Sequence, residues 1–419
     1  MAQVRYADVV IVGAGPGGST AAAHLAEAGR DVVVLEKDRF PREKVCGDGL
    51  TPRSVQQLVD LGLHDEADGR VEGWARSTGL RVHGGGHVIE LPWPELTDFP
   101  GHSLTCVRST FDHTLAQHAV KRGARVQEGT EVTGPVWSPR RPDRVAGVRW
   151  TDEEGNEGEV RAPVVLAADG ASSRLSVALD LRRRDDRPMA VAVRTYYRSD
   201  RRDDVWLSSF LEMRHGDDLL PGYGWIFPMA DGTVNVGAGL PDSSRHFRQV
   251  NYRRLLQRWV EGLPEHWGLS EAVREGRIRS GPLPMGFSRK PHAHRGVLLI
   301  GDAGGHINPM NGEGIAYAME SAQLAAEVAD RALETRRTDT LHAYADELDR
   351  RWGGYFTLGR LFLELIGHPT IMRVCTEYGL PRRRLMAFVM KLLANLTDQH
   401  PRDAMDVVIN TASRIAPAA

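Results

Sequence analysis

Cysteines, excess charge of either sign and long apolar runs are all scarce in this 419-residue chain. Its three cysteines form no CxxC pair, which argues against a disulfide framework or a zinc site and fits a reducing compartment. A net charge of −2, without any nucleic-acid motif, gives no reason to expect a nucleic-acid partner. No apolar run reaches the ~18 residues of a membrane span, and no signal peptide precedes the first predicted strand. We therefore expect a cytoplasmic globular protein with no metal site.

The start of the chain carries a dinucleotide-binding pattern. The apolar run Val9–Val12 predicts a buried parallel strand, and the GxGxxG turn GAGPGG leads from it into a helix. The first glycine allows a tight turn, the second lets backbone approach a pyrophosphate, and the third lets the helix pack on the strand. A second strand ends in an acid, at the spacing typical of a carboxylate that holds a ribose hydroxyl. A plain βαβ unit with a solvated acid is the alternative. The predicted cofactor-binding residues of this unit are Gly13, Gly15, Pro16, Gly18 and Glu36.

The loop at residues 37–52 is too polar and too rich in glycine and proline to be a core element. Arg42 and Lys44 are suitably placed to meet cofactor phosphates. The Cys46-Gly47-Asp48-Gly49 segment provides flexible backbone that can lie against a flat ring. For Cys46 itself, a small buried hydrophobe is the other interpretation, and for a free cysteine it is the more common one.

Two further runs end in acidic residues. Residues 160–170 predict one buried strand that ends in Asp169 and Gly170, and a later apolar run ends in Asp302. Asp302 would lie at the carboxyl end of a parallel strand, where open α/β sheets place their ligands. Residues 311–314 open the next helix and offer backbone N–H groups to an electron-rich ring. A helix cap is the alternative for Asp302, but the glycines around it favour cofactor contact.

A change of pattern marks a second domain. Residues 188–239 predict long alternating strands, and Tyr223, Trp225 and Phe227 point to one face of a single strand. These rings form either the wall of an apolar pocket or ordinary core. In the tail, residues 381–396 predict an amphipathic helix that begins with three arginines. Such a helix lies on a membrane surface or packs on its own domain.

Three separated motifs together resemble the p-hydroxybenzoate-hydroxylase-like class of FAD enzymes. They are GAGPGG with Glu36, Ala168-Asp169-Gly170, and Gly301-Asp302-Ala303 with Pro309 and Asn311-Gly-Glu-Gly314. The resemblance implies that FAD is bound with Glu36 on the adenosine ribose, Arg108 at the pyrophosphate or ribityl chain, and Asp302 at the ribityl chain. It also implies NAD(P)H or a reduced electron carrier as the donor. The remaining predicted cofactor-binding residues are Lys37, Arg42, Cys46, Gly47, Arg108, Asp169, Gly170, Asp302, Pro309, Gly312 and Gly314.

Within that class, the segments PREKVCGDG and YGWIFP resemble the geranylgeranyl reductase family, and most of all the menaquinone reductases of actinobacteria. The family signature YxWxFP is present without departure, whereas related halogenases carry WxWxIP. The resemblance implies saturation of an isoprenoid C=C bond in a polyprenyl lipid or quinone side chain, of menaquinone or geranylgeranyl type. Cys46, Tyr223 and Trp225 would be catalytic, and Phe227 would bind substrate together with the other two aromatics. An FAD-dependent monooxygenase of an aromatic or polyketide natural product is one alternative, and a non-catalytic flavin-holding binding or electron-carrier protein is the other.

The predicted fold class is α/β, with a Rossmann-type FAD-binding domain, an inserted antiparallel β-sheet substrate domain and C-terminal helices. We predict a discontinuous FAD-binding domain over residues 1–75, 99–180 and 286–340, a substrate domain over 76–98 and 181–285, and a helical region over 341–419. The expected partner is an apolar prenyl-containing or other hydrophobic small molecule. The C-terminal helices allow peripheral membrane contact.

Overall fold

The structure is a computed structural model that describes residues 3–401 and 403–418, so residues 1, 2, 402 and 419 of the predicted domains lie outside it. Its strands are β1 Gln3–Tyr6, β2 Val9–Val12, β3 Val32–Leu35, β4 Gly49–Leu50, β5 Trp74–Ser77, β6 Gly79–Gly84, β7 His87–Pro92, β8 Ser103–Cys106, β9 Arg125–Gln127, β10 Thr130–Trp137, β11 Val145–Asp152, β12 Glu157–Arg161, β13 Val164–Ala167, β14 Met189–Arg198, β15 Trp206–Phe210, β16 Arg214–His215, β17 Asp218–Leu219, β18 Tyr223–Pro228, β19 Thr233–Pro241, β20 Arg274–Pro284, β21 Ala293–His294 and β22 Val297–Leu299. Its α-helices are α1 Pro16–Glu27, α2 Pro52–Asp60, α3 His64–Ala67, α4 Arg108–Lys121, α5 Arg174–Ala178, α6 Tyr252–Glu261, α7 Ile315–Glu334, α8 Ala343–Leu348, α9 Gly354–Ile366, α10 Pro369–Val374, α11 Arg383–Ala394 and α12 Ala404–Ile415.

A six-stranded sheet, ordered β21-β22-β13-β2-β3-β9, forms the centre of the first unit. From β22 to β9 every pair is parallel, and β21 adds an antiparallel edge. Both faces of this sheet are covered. Val9 and Ile11 pack in a cluster with α1, α4 and α7, while Val10 and Val12 pack with residues of β10, β11 and β12. This two-sided burial explains why β2 and β3 are continuous apolar runs rather than alternating ones.

The predicted single strand over residues 160–170 is wrong, because the structure contains two strands there. β12 ends at Arg161 and belongs to a four-stranded sheet ordered β1-β12-β11-β10. β13 begins at Val164 and belongs to the parallel sheet. Between them Pro163, which has no backbone N–H to donate to a ladder, marks the crossing from one sheet to the other.

A seven-stranded sheet, ordered β20-β14-β19-β18-β15-β6-β7, forms the second unit. An antiparallel hairpin of β6 and β7 forms one edge of this sheet, with its turn at the glycines after β6. The sheet is antiparallel except for β15 and β6, which are parallel. That exception arises because β6 enters from a distant part of the chain rather than through a hairpin with β15.

The amphipathic tail helix is observed as α11, and it packs largely on its own protein. Met390, Ala394 and Leu396 are buried in one cluster with the β6, β7 and β15 end of the large sheet. Buried Lys391 pairs with Asp403 at 3.0 Å and also with Asp406, which fixes α11 against α12. Only the first part of α11, including Leu385, is exposed.

Candidate active site

One cavity of about 670 Å³ lies between the parallel sheet and the seven-stranded sheet. Its lining includes the turn after β2, the loop of residues 42–47 and the aromatic face of β18. Except for Gly18, every predicted site residue contributes to this lining, so the structure brings together positions that are separated by up to about 300 residues. The predicted residues in the lining are Gly13, Gly15, Pro16, Glu36, Lys37, Arg42, Cys46, Gly47, Arg108, Asp169, Gly170, Tyr223, Trp225, Phe227, Asp302, Pro309, Gly312 and Gly314.

The three glycines of the GxGxxG turn have different surroundings. Gly13 has φ +93°, and a Cβ there would lie 2.6 Å from the carbonyl oxygen of Ala168. A Cβ at Gly18 would lie 1.8 Å from the Gly13 carbonyl oxygen, so Gly18 serves helix packing and stays outside the cavity. Gly15 is open, because a Cβ there would meet only Arg42 Nη2, at 3.5 Å. The turn therefore presents bare backbone to the cavity at the start of α1, where a helix favours an anion.

Glu36 is buried at the carboxyl end of β3. Its Oε2 accepts a hydrogen bond from the Ala14 N–H at 2.7 Å, and its Oε1 accepts one from the Asp38 N–H at 3.1 Å. The carboxylate is therefore fixed beside the glycine turn, as the ribose assignment requires.

Cationic groups line the cavity beyond this turn. Arg108 donates to Asp112 at 2.7 and 2.9 Å, and Arg42 reaches the same carboxylate at 3.1 Å. Burial raises the pKa of Asp302, while the positive charges of Lys44 and Arg108 oppose that rise. An acid and several cations thus converge where the resemblance places the pyrophosphate and ribityl chain.

The residues present fit a dinucleotide cofactor. A glycine turn, a helix start and a fixed carboxylate lie along one side of the cavity. Two buried polar atoms, Asp169 Oδ1 and Arg42 Nε, have no hydrogen-bond partner within residues 3–401 and 403–418. Buried polar atoms normally have partners, so these two indicate a polar ligand. The other oxygen of Asp169 accepts from the Leu175 N–H at 3.2 Å, which also makes this residue a cap of α5.

The aromatic residues of β18 form the opposite wall. Trp225 is buried opposite Gly237 of β19, where a Cβ would lie 2.2 Å from the indole ring. A Cβ at Gly47 would lie 3.4 Å from both Trp225 and Phe227. The indole therefore packs closely on two glycines, and the Cys46-Gly47 segment lies directly against the aromatic wall.

A buried network holds that segment in place. Asp48, fully buried with φ +60°, accepts hydrogen bonds from Tyr196 Oη at 2.5 Å and Asn235 Nδ2 at 2.8 Å. Asn235 also donates to the Cys46 carbonyl at 2.9 Å and accepts from Trp225 Nε1 at 2.9 Å. The side-chain amide of Asn235 thus connects the Trp225 indole, the Cys46 carbonyl and the Asp48 carboxyl. Burial raises the pKa of Asp48 to about 6 despite these donors.

Three proton-bearing groups lie in or beside the cavity. Burial raises the pKa of the Cys46 thiol, against the positive charge of Arg108. Burial also raises the pKa of Tyr223 to about 12, and its hydroxyl donates to the Asn311 carbonyl at 2.7 Å. Glu313 lies two residues after Asn311. Burial raises its pKa to about 7, and its carboxyl accepts a hydrogen bond from Thr51. All three shifts favour the protonated form.

Sequence reasoning missed Asp48, Tyr196, Asn235 and Glu313 as members of the site. A signal was present for Asn235, which is a polar residue in the otherwise apolar run Thr233-Val-Asn-Val-Gly-Ala238. For Asp48 the signal was only the glycines around it, since its partners lie 148 and 187 positions away in sequence.

A family model described as an FAD binding domain matches residues 6–352. The chain belongs to this family of FAD-binding proteins.

The flavoprotein is similar to reductases over nearly its whole length. It is 36% identical over 408 residues to the menaquinone reductase of Mycolicibacterium smegmatis, covering 97% of this chain and 96% of that protein. It is 31% identical over 359 residues to digeranylgeranylglycerophospholipid reductase 2 of Methanopyrus kandleri, covering 83% and 84%. The predicted membership of the geranylgeranyl reductase family is therefore confirmed, and the flavoprotein is an FAD-dependent oxidoreductase.

Solved structures show the same fold. A geranylgeranyl bacteriochlorophyll reductase-like protein from Thermoplasma acidophilum superposes with a TM-score of 0.78 at 23% identity, covering 98% of this chain and 100% of that one. A flavin-dependent brominase superposes with a TM-score of 0.75 at 21% identity, covering 97% and 98%. The predicted α/β fold class is confirmed. The domain boundaries and the individual site roles stay predictions.

Gly15→Ala should weaken FAD binding while leaving the fold intact. The added methyl makes only an ordinary contact with Arg42, but it fills the space where the assignment brings backbone to the pyrophosphate. We expect an affinity loss of at least about tenfold, or ~1.4 kcal/mol, in a titration of the apoprotein with FAD. Gly101→Ala, where a Cβ meets nothing within 4 Å, is the control. Equal affinities of the two variants would contradict the assignment.

Asp48→Asn should change how stability depends on pH. The native carboxyl, with a pKa of about 6, keeps a proton that the unfolded chain has lost above about pH 4. The wild type therefore loses stability, relative to this variant, as pH rises from about 4 to about 6, and the difference is constant above about 7. Urea unfolding at a series of pH values measures this difference, with Asp65→Asn as an exposed control. A difference that does not vary with pH would refute the prediction.

Proposed function

We propose that this flavoprotein saturates an isoprenoid C=C bond in the side chain of a polyprenyl lipid or quinone, of menaquinone or geranylgeranyl type. The aromatic wall of Tyr223, Trp225 and Phe227 carries the proposal, because it faces the same cavity as the dinucleotide turn. The names of its relatives, menaquinone reductase and digeranylgeranylglycerophospholipid reductase, support it. NAD(P)H or a reduced electron carrier would be the donor.

The apolar end of the cavity suits a prenyl chain. Ala190, Met285, Ile307 and Leu363 form a buried cluster there, with Leu283 and Ile366 packed against it. These side chains exclude water and offer an alkene only dispersion contacts. Exclusion of water also strengthens the electrostatic interactions that the polar groups of the cavity make.

When bound and reduced, FAD supplies a hydride. The protein must supply the proton that adds to the other carbon of the double bond, and it must stabilise the positive charge that develops on carbon as that proton adds. Cys46 and Tyr223 both line the cavity and both hold their protons, because burial raises the pKa of each. Trp225 offers an electron-rich ring, fixed by its N–H bond to Asn235, for a cation–π interaction of roughly 0.5–2 kcal/mol.

An anaerobic single turnover tests the proposal. The bound flavin is reduced, menaquinone or a geranylgeranyl lipid is added, and flavin absorbance and product mass are followed. We expect flavin oxidation without oxygen and, after the product is reoxidised in air to the quinone, a side chain that has gained two hydrogens. Trp225→Leu should slow this oxidation by about 2- to 30-fold, which is the loss of the cation–π term.

Trp137→Leu is the matched control, since that ring lies partly exposed on β10, in another sheet. If Trp225→Leu and Trp137→Leu slowed flavin oxidation equally, the aromatic wall would have only a structural role. A flavin that stays reduced until oxygen is admitted, followed by a product with one added oxygen, would support the monooxygenase alternative instead.

We also propose a cytoplasmic protein with peripheral membrane contact through the C-terminal helices. No helix in residues 3–401 and 403–418 has the length and apolarity needed to cross a bilayer. Leu361 and Leu365 of α9 are nevertheless 56% and 52% exposed, on the helix whose other side supplies Leu363 and Ile366 to the cavity. A lipid substrate partitions into bilayers, so an apolar surface beside the cavity gives it a short path.

Liposome flotation tests the membrane proposal. We expect the double variant Leu361→Glu, Leu365→Glu to float less than the wild type, because two charges must then enter the interface. Val88→Glu, at a position 61% exposed on β7, is the control for an added charge elsewhere. Flotation that is equal for all three proteins would refute contact through α9.

A further inference from the structure

Three arginines come together beside the apolar end of the cavity. Arg184 and Arg187 lie in the segment between α5 and β14, and Arg360 lies on α9. Gly286 separates the two elements, since a Cβ there would lie 3.5 Å from Pro188 Cγ and 3.6 Å from Arg360 Cγ. The three side chains share one region although they come from two distant parts of the chain.

The charge of this cluster is only partly neutralised. Asp186 accepts from Arg184 at 2.7 and 2.9 Å and from Arg187 at 2.9 Å. Glu364 is the other acid that acts on Arg360, so two carboxylates face three guanidinium groups. Burial lowers the pKa values of Arg187 and Arg360, and the charges of their neighbouring arginines lower them further.

Two donors of the cluster lack acceptors. The Arg187 side chain is only 10% exposed. Arg187 Nε and Arg360 Nη1 are buried and have no hydrogen-bond partner anywhere in the described ranges 3–401 and 403–418. Arg360 uses its other terminal nitrogen to donate to Thr357 at 3.0 Å. A buried donor on a cation is costly unless an acceptor meets it, which points to an anionic ligand.

The position of the cluster indicates what that anion is attached to. Arg187 precedes the cavity-lining Ala190 by three residues, and Arg360 precedes Leu363 by one helical turn. Gly286 follows Met285, which also lines the cavity. An apolar chain in the cavity would therefore have its end close to the guanidinium groups, and guanidinium forks match phosphate oxygens.

We propose that Arg184, Arg187 and Arg360 bind a lipid phosphate beside the apolar end of the cavity. This inference rests on the proposed function. The phosphate belongs to the substrate's own head group or to a bilayer phospholipid beside it, and both are phosphate esters on an apolar chain.

Calorimetric titration of the holoenzyme tests the site. The titrants are geranylgeranyl monophosphate, the neutral alcohol geranylgeraniol and inorganic phosphate. We expect the lipid phosphate to bind at least about tenfold more tightly than either of the others. Arg187→Gln and Arg360→Gln should each weaken it by about tenfold, and Arg187→Lys by less, since it retains the charge but not the fork.

Arg182→Gln is the matched control, because it removes the same charge from the same segment at a side chain that is 85% exposed. Bound flavin and circular dichroism report folding of every variant. Equal binding of the phosphate and the alcohol, or equal losses in Arg182→Gln and Arg187→Gln, would overturn the site. If inorganic phosphate bound as tightly as geranylgeranyl monophosphate, the assignment of the site to a lipid phosphate would be overturned.

Vesicles identify the source of the phosphate. If vesicles containing phosphatidylglycerol bind better than pure phosphatidylcholine vesicles, and Arg187→Gln removes the difference while Arg182→Gln does not, the bilayer supplies it. If only the monomeric lipid phosphate depends on the arginines, the substrate supplies it. Loss of arginine dependence in both assays would refute the proposal. Anaerobic oxidation by neutral menaquinone tests the proposed function separately, since that quinone carries no phosphate.

Discussion

The active site depends on the hydrogen bonds that the buried Asp48 carboxyl accepts. This carboxyl belongs to the loop that follows the dinucleotide-binding strands, yet two of its donors, Tyr196 and Asn235, stand on the seven-stranded sheet. Asn235 carries the connection further, to the Cys46 backbone and the Trp225 indole. Because these groups are buried together, none can shift without leaving a polar atom unpaired, at a cost of roughly 1–3 kcal/mol. The relative position of the cofactor loop and the aromatic wall is therefore set by one small network.

The two large sheets supply different parts of the cavity. The parallel sheet, covered on both faces, supplies the rigid strand ends at which Gly13, Glu36 and Asp302 meet the cofactor side of the cavity. The second sheet supplies the aromatic wall and Ala190 of the apolar cluster, whereas Leu363 of that cluster belongs to α9. Helix α9 closes that end, so the C-terminal helices take part in the cavity rather than forming a separate appendage.

Local chemistry allowed much of this to be predicted from the sequence. The glycine turn, the alternation of aromatics in β18 and the family signatures each depend on neighbouring residues, and the structure places them in one cavity. What sequence reasoning missed depends on distant partners. The break at Pro163 separates two sheets that share an apolar run, and the parallel pairing of β15 with β6 joins strands more than 100 residues apart. The role of Asp48 needed partners 148 and 187 positions away. Local patterns do not encode such pairings, because the fold alone decides which buried groups meet.

The close packing of Trp225 on Gly47 and Gly237 has a consequence for the shape of the cavity. The indole fills the space that any side chain at position 237 would need, and Gly47 packs against the same ring. A larger residue at position 237 must displace the ring, and with it the wall of the cavity and the hydrogen bond from Trp225 Nε1 to Asn235. Gly47 and Gly237 therefore fix the position of the indole ring. A larger side chain at either position would change the shape of the cavity at the aromatic wall.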